Sequence, residues 1–519
     1  MALRSGGAVR SIADLPGPAR LPVVGNAHRV RLARLHVALE RWCERYGPIF
    51  RFDLGPRRVV VVGDLEEINR ILRDRPDGFR RWREVQAVFD EMGVAGVFSE
   101  EGAVWRRQRR LAVAALNSHY LRRYFDTIRT ASARLHRRLN DVARDGQAID
   151  IVGELTRLTV DVTSALAFGH DLNTLERHDH ELQDHIERAF AMLHRRLFAP
   201  VPYWRWVKLP ADRALDRSLA YLHRTVEEFI ERARGRIASR PVLAEAPENF
   251  LEAMLVAQAA DGSFTDEEII GNVFTLLLAG EDTTAHTIGW TLWFLASRPE
   301  IQERWAAEVC EVLGEHPIPA DYETLERLRY GEAVLRESMR LKPVAVALPH
   351  ESLADTTIAG THIPAGTRLW LATRHAGVGA IERGSEFDPE RWLTDEQAGA
   401  APDQKAFLAF GAGPRFCPGR NLAFVEAKTA MAMLARNFEV ELDHANEPVT
   451  ELLSFTMIPK GLRVRLRKRA ARPHSAPPPR SHKGYSQGTP EMCNSRFGER
   501  ARGRRIADCS ERPSLKETR

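Results

Sequence analysis

The chain is poor in cysteine, with only five in 519 residues. These cysteines lie far apart, and no two of them form a Cys-x-x-Cys pair. Disulfide frameworks and zinc sites need paired or clustered cysteines, so the spacing argues against both and favours a reducing compartment. The five are Cys43, Cys310, Cys417, Cys493 and Cys509.

Long apolar runs are also lacking near the N-terminus. No window there offers the roughly 18 consecutive apolar residues that a membrane-spanning helix needs. Residues 1–14 include Arg4 and Arg10 and have no apolar core of the kind found in signal peptides. We therefore expect a flexible N-terminal segment over residues 1–14, no membrane anchor, and a soluble, cytoplasmic protein.

The body of the chain has no excess of one charge. The formal net charge is +5, but residues 470–519 hold eleven Lys or Arg and five Asp or Glu, which leaves −1 for residues 1–469. This balance does not point to nucleic acid as a partner. Residues 468–519 are rich in Pro, Ser, Arg and Gly, a composition that predicts a disordered, basic tail. A solvated appendage is favoured for this tail over a role in binding nucleic acid or an acidic partner.

Helical periodicity dominates residues 15–467 and predicts one mainly α domain with small β-sheets. The longest pattern, from Thr265 to Arg298, is apolar enough to be a central helix. The stretches Pro48–Leu54 and Arg58–Val62 predict a β-hairpin, which a helix follows. No Gly-x-Gly-x-x-Gly joins that strand to that helix, which excludes a dinucleotide-binding fold.

One cysteine, Cys417, lies in the unusual stretch Phe410-Gly411-Ala412-Gly413-Pro414-Arg415-Phe416-Cys417-Pro418-Gly419. Its glycines and prolines exclude a regular helix or central strand, and a good helix former begins at Arg420. Cys417 is therefore predicted on a rigid loop at a helix N-terminus, where free N–H groups favour a thiolate. A thiolate is the form of cysteine that binds iron.

The predicted central helix contains a second unusual stretch, Ala279-Gly280-Glu281-Asp282-Thr283-Thr284. A glycine, two acids and two threonines are poor choices for the middle of a buried helix, and proteins accept such choices mainly at functional sites. We expect Gly280 to make room for a ligand. Thr283 is expected to bond back to a carbonyl and open the helix.

These two stretches resemble motifs of the cytochrome P-450 family. The first matches its heme-binding loop, F-x-x-G-x-R-x-C-x-G, and the second its oxygen-activation motif, A-G-x-D-T-T. The resemblance covers about Pro16 to Arg467 and implies heme b lying between the central helix and the cysteine loop. It also implies Cys417 as the iron ligand, Asp282 and Thr283 as proton-delivering catalytic residues, and a set of heme contacts: Ala279, Gly280, Phe410, Gly413, Arg415 and Gly419.

The same resemblance assigns further residues. Trp105, Arg109 and Arg415 are implied as partners of the heme propionates, since planar guanidinium groups suit carboxylates. His350 occupies a place where many members have an arginine, and we assign it the same role. Glu337, Arg340 and Arg391 match the family's charge network and are implied to be structural.

The implied function is that of a bacterial-type heme-thiolate monooxygenase that inserts one atom of O2 into an apolar molecule. The resemblance places residues 79–98, 344–348 and 453–458 and the central helix near Phe274 around the substrate. These residues are mostly aliphatic and aromatic, which fits fatty acyl chains, terpenoids and polyketides.

No flavin or iron–sulfur pattern appears, so electrons are expected from NAD(P)H through a separate ferredoxin or flavodoxin with its reductase. Arg106, Arg107 and Arg110 are one candidate docking patch for that partner; a solvated helix face is the alternative. We expect a monomer.

Two other functions stay open at this point. The first is a peroxygenase, or a heme-thiolate isomerase or dehydratase, on the same fold. The second is a non-catalytic heme-binding sensor, which would consume no reductant in a substrate-dependent way. The intact Asp282–Thr283 pair favours the monooxygenase.

Deletion of residues 470–519 should leave the heme content and the melting temperature nearly unchanged. The segment has too little apolar surface to offset the entropy lost on ordering. Differential scanning calorimetry of the truncated and full chains measures this directly. A large fall in melting temperature would show that the segment packs on the rest of the protein.

Overall fold

A computed structural model describes residues 10–177, 181–199, 201–262, 264–393, 404–443 and 448–470. These residues form a mainly helical fold with small β-sheets, which confirms the predicted fold class. The helices are α1 (Leu35–Tyr46), α2 (Leu65–Asp74), α3 (Arg83–Glu91), α4 (Gly102–Ala115), α5 (Ser118–Asp145), α6 (Ile151–Phe168), α7 (Glu181–Phe198), α8 (Pro210–Ser239), α9 (Val242–Glu245), α10 (Phe250–Asp261), α11 (Asp266–Ala296), α12 (Pro299–Leu313), α13 (Tyr322–Glu326), α14 (Arg329–Leu341), α15 (Thr373–Gly379) and α16 (Arg420–Asn437).

The strands form four small sheets within the described ranges. The largest has the order β1-β2-β8-β5-β3, in which only β2 and β8 run parallel. The others pair β4-β12-β9, β10-β11 and β6-β7. The bounds are β1 (Ile49–Leu54), β2 (Arg57–Val62), β3 (Phe79–Arg81), β4 (Ile149–Asp150), β5 (Leu348–Ser352), β6 (Thr356–Ile358), β7 (Thr361–Ile363), β8 (Arg368–Leu371), β9 (Phe438–Leu442), β10 (Thr450–Leu453), β11 (Met457–Lys460) and β12 (Arg463–Lys468).

The long helix α11 lies at the centre of the helical layer. Thr265 and Glu268 form a reciprocal cap at its start, with bonds of 3.2 and 3.0 Å between side chains and backbone. Most of its residues are buried, because α6, α14 and α16 pack around it. In the part of the chain that the structure describes, no helix, α11 included, is both long and apolar enough to cross a bilayer.

The structure describes residues on either side of both predicted domain boundaries. Arg10, within the segment predicted to be flexible, donates its N–H to Gly360 at 3.1 Å, and residues 12–14 form a 3-10 turn. At the other end, β12 continues through Lys468 because that residue pairs with Phe438. Arg469 then donates to the Phe438 carbonyl at 3.0 Å. The rest of the predicted tail, residues 471–519, lies outside the described residues.

Glu337 on α14 is the centre of a buried ionic network. Its carboxylate is fully buried and accepts bonds of 2.8 Å from Arg340, 2.9 Å from Arg391 and 2.9 Å from the indole of Trp392. Arg340 also donates to the carbonyl of Glu386 at 3.1 Å. The network therefore fixes the irregular segment 384–392 against α14.

Glu337→Ala should lower the free energy of unfolding by about 3–5 kcal/mol, because it leaves the buried Arg340 and the partly buried Arg391 without their carboxylate. Glu390→Gln is the matched control from the same segment, since Glu390 pairs with Arg304 where both side chains are about half exposed. That exposed pair should contribute about 1 kcal/mol or less. Urea unfolding of both variants measures the difference, and equal losses would contradict the structural role of Glu337.

Candidate active site

The loop around Cys417 is held by backbone bonds at both ends. The Cys417 N–H donates to the carbonyl of Phe410 at 2.9 Å, and the Phe416 N–H donates to that of Gly413 at 3.1 Å. Gly413 has φ +70°, and a Cβ there would lie 2.2 Å from the carbonyl oxygen of Leu72. Only glycine fits this position, so the loop lies flush against the end of α2.

The sulfur of Cys417 lies at the start of α16, as the sequence predicted. The backbone N–H groups of Gly419 and Arg420 donate to it, and Arg109 lies nearby. Burial raises the pKa of the Cys417 thiol, while these N–H groups and Arg109 oppose the rise. These backbone N–H groups and Arg109 therefore favour the thiolate form of Cys417. A bound metal cation would stabilise that thiolate further.

A cluster of buried arginines surrounds one carboxylate beside this loop. Glu101 accepts from Arg75 at 3.0 Å and from the guanidinium of Arg415, which stacks over Trp105 with its carbon 4.1 Å from the ring centre. The Arg81 backbone N–H also donates to Glu101, at 3.2 Å. The side chains of Arg75 and Arg415 are only 3% and 4% exposed. The guanidinium of Arg81 also lies close enough to Arg75, Arg415 and Glu101 to interact with all three. Three positive charges are therefore gathered around one acid, which two of them contact directly.

The cluster is short of acceptors. The Nε of Arg75 and the Nε and Nη1 of Arg415 are buried without a hydrogen-bond partner. Burial, together with the charge of Arg75, lowers the pKa of Arg415 to about 9. Arg109 adds a fourth guanidinium, which donates to the carbonyl of Phe416. Because buried donors without acceptors are costly, the site fits a ligand that carries carboxylates, as heme does in its two propionates.

His350 is placed in the cluster but cannot act as a cation. It is fully buried on β5, and burial together with Arg75 lowers its pKa well below the usual value. Its Nδ1 lies 3.2 Å from the carbonyl oxygen of Leu348, which only accepts, so Nδ1 carries the proton. Nε2 is then free to accept from Arg75, 3.4 Å away. His350 therefore accepts from Arg75 and carries no charge of its own, so that Arg75 is the cation at this point of the cluster.

The turn of α11 around Ala279 has one open face. Ala279 is exposed, although residues 271–278 before it are all buried, and Asp282 and Thr283 on the same face are only partly buried. Thr283 donates its hydroxyl to the Ala279 carbonyl at 2.6 Å, the back-bond that the sequence predicted. Burial, with a smaller contribution from Glu187, raises the pKa of Asp282 to about 6.

The opposite face of that turn is packed against other helices. A Cβ on Gly280 would lie 2.5 Å from the hydroxyl oxygen of Thr163 on α6. The glycine therefore allows close helix packing, which replaces our expectation that its missing side chain makes room for a ligand. The Glu281 backbone carbonyl accepts from Thr159 at 2.8 Å, which holds the same two helices together.

A buried acid connects the cysteine helix to α11. Glu426 on α16 is fully buried, and burial raises its pKa to about 8. It lies beside the hydroxyl of Thr284, the residue after Thr283, yet neither of its oxygens has a hydrogen bond of ordinary geometry. The contact between Glu426 and Thr284 therefore brings α16, which begins shortly after Cys417, against the turn of α11 that contains Asp282 and Thr283.

Sequence reasoning missed Arg75, Arg81, Glu101 and Glu426. A signal existed only for Glu426, an acid within the apolar part of a predicted helix. The three others lie in short connections or a short strand of an arginine-rich chain, and no motif distinguishes them from surface residues.

The arginine run on α4 is partly occupied by ion pairs. Arg106 pairs with Asp77 at 2.6 Å, and Arg107 pairs with Glu268 at the start of α11. Arg110 is exposed. Arg107 thus stabilises the fold, which leaves Arg106 and Arg110 as the members of the run that a partner protein could contact.

Comparison with known proteins agrees with this geometry. The family model described as Cytochrome P450 matches residues 15–466. A protein of Caenorhabditis elegans named as cytochrome P450 CYP13A3 is 28% identical over 498 residues, covering 88% of this chain and 94% of its own length. LUTEIN DEFICIENT 5 of Arabidopsis thaliana, described as chloroplastic, is 26% identical over 460 residues, 86% of this chain and 76% of its own.

Pluviatolide synthase of Sinopodophyllum hexandrum is 28% identical over 438 residues, 82% of this chain and 85% of its own. These relatives are eukaryotic and one is chloroplastic, so they do not support the bacterial type or the cytoplasmic location expected from the sequence. The family match over residues 15–466 shows that the chain belongs to the cytochrome P450 family and is an oxidoreductase of the monooxygenase class.

Proposed function

We propose that the chain inserts one oxygen atom from O2 into an apolar organic molecule, with Cys417 as the ligand of a heme iron. The observation that carries the assignment is the surplus of buried arginine next to a partly buried thiol at a helix N-terminus. Those two features fit one ligand that combines carboxylates with a cationic metal.

Bound heme would supply the electron-rich iron centre that activates O2. Arg75, Arg109 and Arg415 would hold its propionates, with Trp105 stacked under Arg415. His350 stays neutral and keeps Arg75 in place through Nε2. We also propose that Phe410, Gly413 and Gly419 shape the cysteine side of the heme and that Ala279 borders its other face. Gly280 packs against Thr163 of α6 and is not part of that border.

Asp282 and Thr283 are the proposed proton-transfer residues. The pKa of Asp282, about 6, allows this carboxyl to take up and release a proton near neutral pH. The hydroxyl of Thr283 donates to Ala279, so its oxygen remains available to accept a hydrogen bond from water. Both groups lie on the open face of α11.

Electrons are proposed to come from NAD(P)H through a separate ferredoxin or flavodoxin and its reductase. The ion pair of Arg107 with Glu268 reduces the docking patch proposed on α4 to Arg106 and Arg110. The bacterial type, the cytoplasmic location and the monomeric state stay predictions. The presence of both Asp282 and Thr283 favours the O2-dependent reaction over the peroxygenase and the isomerase or dehydratase. Substrate-dependent consumption of NAD(P)H would exclude the sensor.

Cys417→Ala should abolish the thiolate-type spectrum of the reduced, CO-bound protein. Cys43→Ala and Cys310→Ala are matched controls, since both are free thiols away from the start of α16. The difference spectrum of each variant measures the effect. A thiolate spectrum that survives in Cys417→Ala would end the assignment of this residue as the iron ligand.

Thr283→Ala should keep heme and substrate binding but lower the product formed per NAD(P)H by about tenfold or more, because the proton-transferring hydroxyl is lost. Hydrogen peroxide release should rise in proportion. Asp282→Asn should slow turnover for the same reason, because it removes the other proposed proton-transfer group.

Thr287→Ala is the control for the threonine substitution. Thr287 lies one turn further along α11 and makes the same kind of back-bond, to the Thr283 carbonyl at 2.8 Å. The product formed per NAD(P)H by the Thr287→Ala variant, which is its coupling, should match that of the native enzyme. Unchanged coupling in Thr283→Ala and Asp282→Asn would favour a reaction that bypasses O2 activation.

A further inference from the structure

Glu101, the residue just before α4, bridges two arginines from distant parts of the chain. Its Oε1 accepts from the guanidinium of Arg75 at 3.0 Å and from the backbone N–H of Arg81 at 3.2 Å. Its Oε2 accepts from the guanidinium of Arg415 in the cysteine loop. Arg75 and Arg415 are two of the residues proposed to hold the heme propionates. The carboxylate of Glu101 therefore binds the same cations that the cofactor would use.

The positive charge around Glu101 exceeds what this one carboxylate can neutralise. The guanidinium of Arg81 donates to the carbonyl of Phe98 at 3.0 Å and lies over its ring, with its carbon 3.8 Å from the ring centre. The side chain of Glu100 also lies near Arg415, but its effect on this arginine is smaller than that of Glu101. Glu101 is thus the principal anion in a cluster that holds three guanidiniums.

The cluster lies in a dry part of the protein, where charges act over longer distances than at the surface. The side chains of Arg75 and Arg415 are 3% and 4% exposed, and that of Glu101 is 15% exposed. Water screens such charges weakly, so a change of one charge alters the energy of every other ion in the cluster. A second anion that binds the same arginines is therefore attracted by them and repelled by Glu101.

We propose that Glu101 is a positioning residue of the heme site that acts through its charge on Arg75 and Arg415. Its carboxylate weakens the attraction of these arginines for the propionates. It also holds the reduction potential of the iron lower than the arginines alone would set it, since nearby negative charge disfavours the uptake of an electron. The inference rests on the proposed binding of heme at Cys417 and is independent of the reaction that the holoenzyme catalyses.

Potentiometric titration of the substrate-free holoenzyme tests the effect on the iron. Glu101→Gln keeps the shape of the side chain and removes its charge. It should shift the equilibrium toward the ferrous state by about threefold or more, which is about 28 mV at 59 mV per tenfold for one electron. Arg81→Gln removes one cation but keeps the backbone N–H that bonds to Glu101, so it should lower the potential.

Glu154→Gln is the matched control for the loss of a carboxylate. Glu154 lies on α6, is 14% exposed and pairs with Arg138, so the same change is made outside the cluster. It should leave the potential unchanged, and Glu101→Asp, which keeps the charge, should stay close to the native value. An unchanged potential in Glu101→Gln would overturn the proposal. Shifts of the same sign in Glu101→Gln and Arg81→Gln would also overturn it, because they would indicate a general loosening of the site.

Competition between heme and heme dimethyl ester tests the effect on the propionates. The ratio of the two dissociation constants measures how strongly the protein prefers charged propionates. Glu101→Gln should raise this preference for heme about tenfold, because it removes a like charge from a dry site. A ratio equal to that of the native protein would assign Glu101 a purely structural role. A lower ratio would show that the arginines need Glu101 in order to bind propionates, and either result would overturn the proposal.

The CO difference spectrum of each holoprotein separates failure of the inference from failure of the proposed heme site. A native protein without a thiolate-type spectrum would defeat the heme site and this inference with it. A native thiolate spectrum, together with a potential that does not respond to Glu101→Gln, would defeat only the inference. If Glu101→Gln takes up no heme, Arg81→Gln decides, since an unchanged or raised potential in that variant overturns the proposal.

Discussion

The arrangement of the candidate site depends on an excess of buried positive charge around Glu101. Arg75 follows α2, Arg81 ends β3, Arg109 belongs to α4, and Arg415 comes from the cysteine loop. Unpaired charges in a dry interior are strongly unfavourable, so these four segments meet at low cost only if further anions join Glu101. A ligand with two carboxylates would meet that requirement and would draw the cysteine loop and the N-terminal third of the chain together.

Within a single turn, helix α11 has both an open face and a face packed against other helices. Ala279, Asp282 and Thr283 lie on the open side. Gly280 and Thr284 face α6 and α16, where Thr163 and Glu426 lie. Because side chains three and four residues apart share one helical face, a six-residue stretch can meet both demands. Close helix packing and the proposed proton-transfer site thereby depend on different residues of the same motif.

The sequence predicted the parts of the site that are local. The helix α11, the Cys417 loop at the start of α16 and the back-bond of Thr283 each depend on residues within about ten positions of one another. The cluster around Glu101 could not be predicted in this way, since Arg75 and Arg415 are joined only by the folded chain. An isolated arginine carries no local signal of burial.

The neutral state of His350 follows from the same long-range packing. Its burial and the nearby charge of Arg75 exist only after β5 joins the sheet. From the sequence, a histidine in this position could equally donate as a cation or accept as a neutral ring. In the structure, the Leu348 carbonyl accepts from Nδ1 and Nε2 accepts from Arg75, which together require the neutral ring. The positive charge at this point therefore belongs to Arg75.

The most direct test of this account compares heme with heme dimethyl ester, in which both propionates are neutral. Heme-free protein would be reconstituted with each, and thermal unfolding would be followed by circular dichroism. If the buried arginines require the propionates, heme should raise the melting temperature clearly, while the ester should raise it far less and bind more weakly. Equal stabilisation by both would contradict the claim that the site is organised by paired arginine and carboxylate charges.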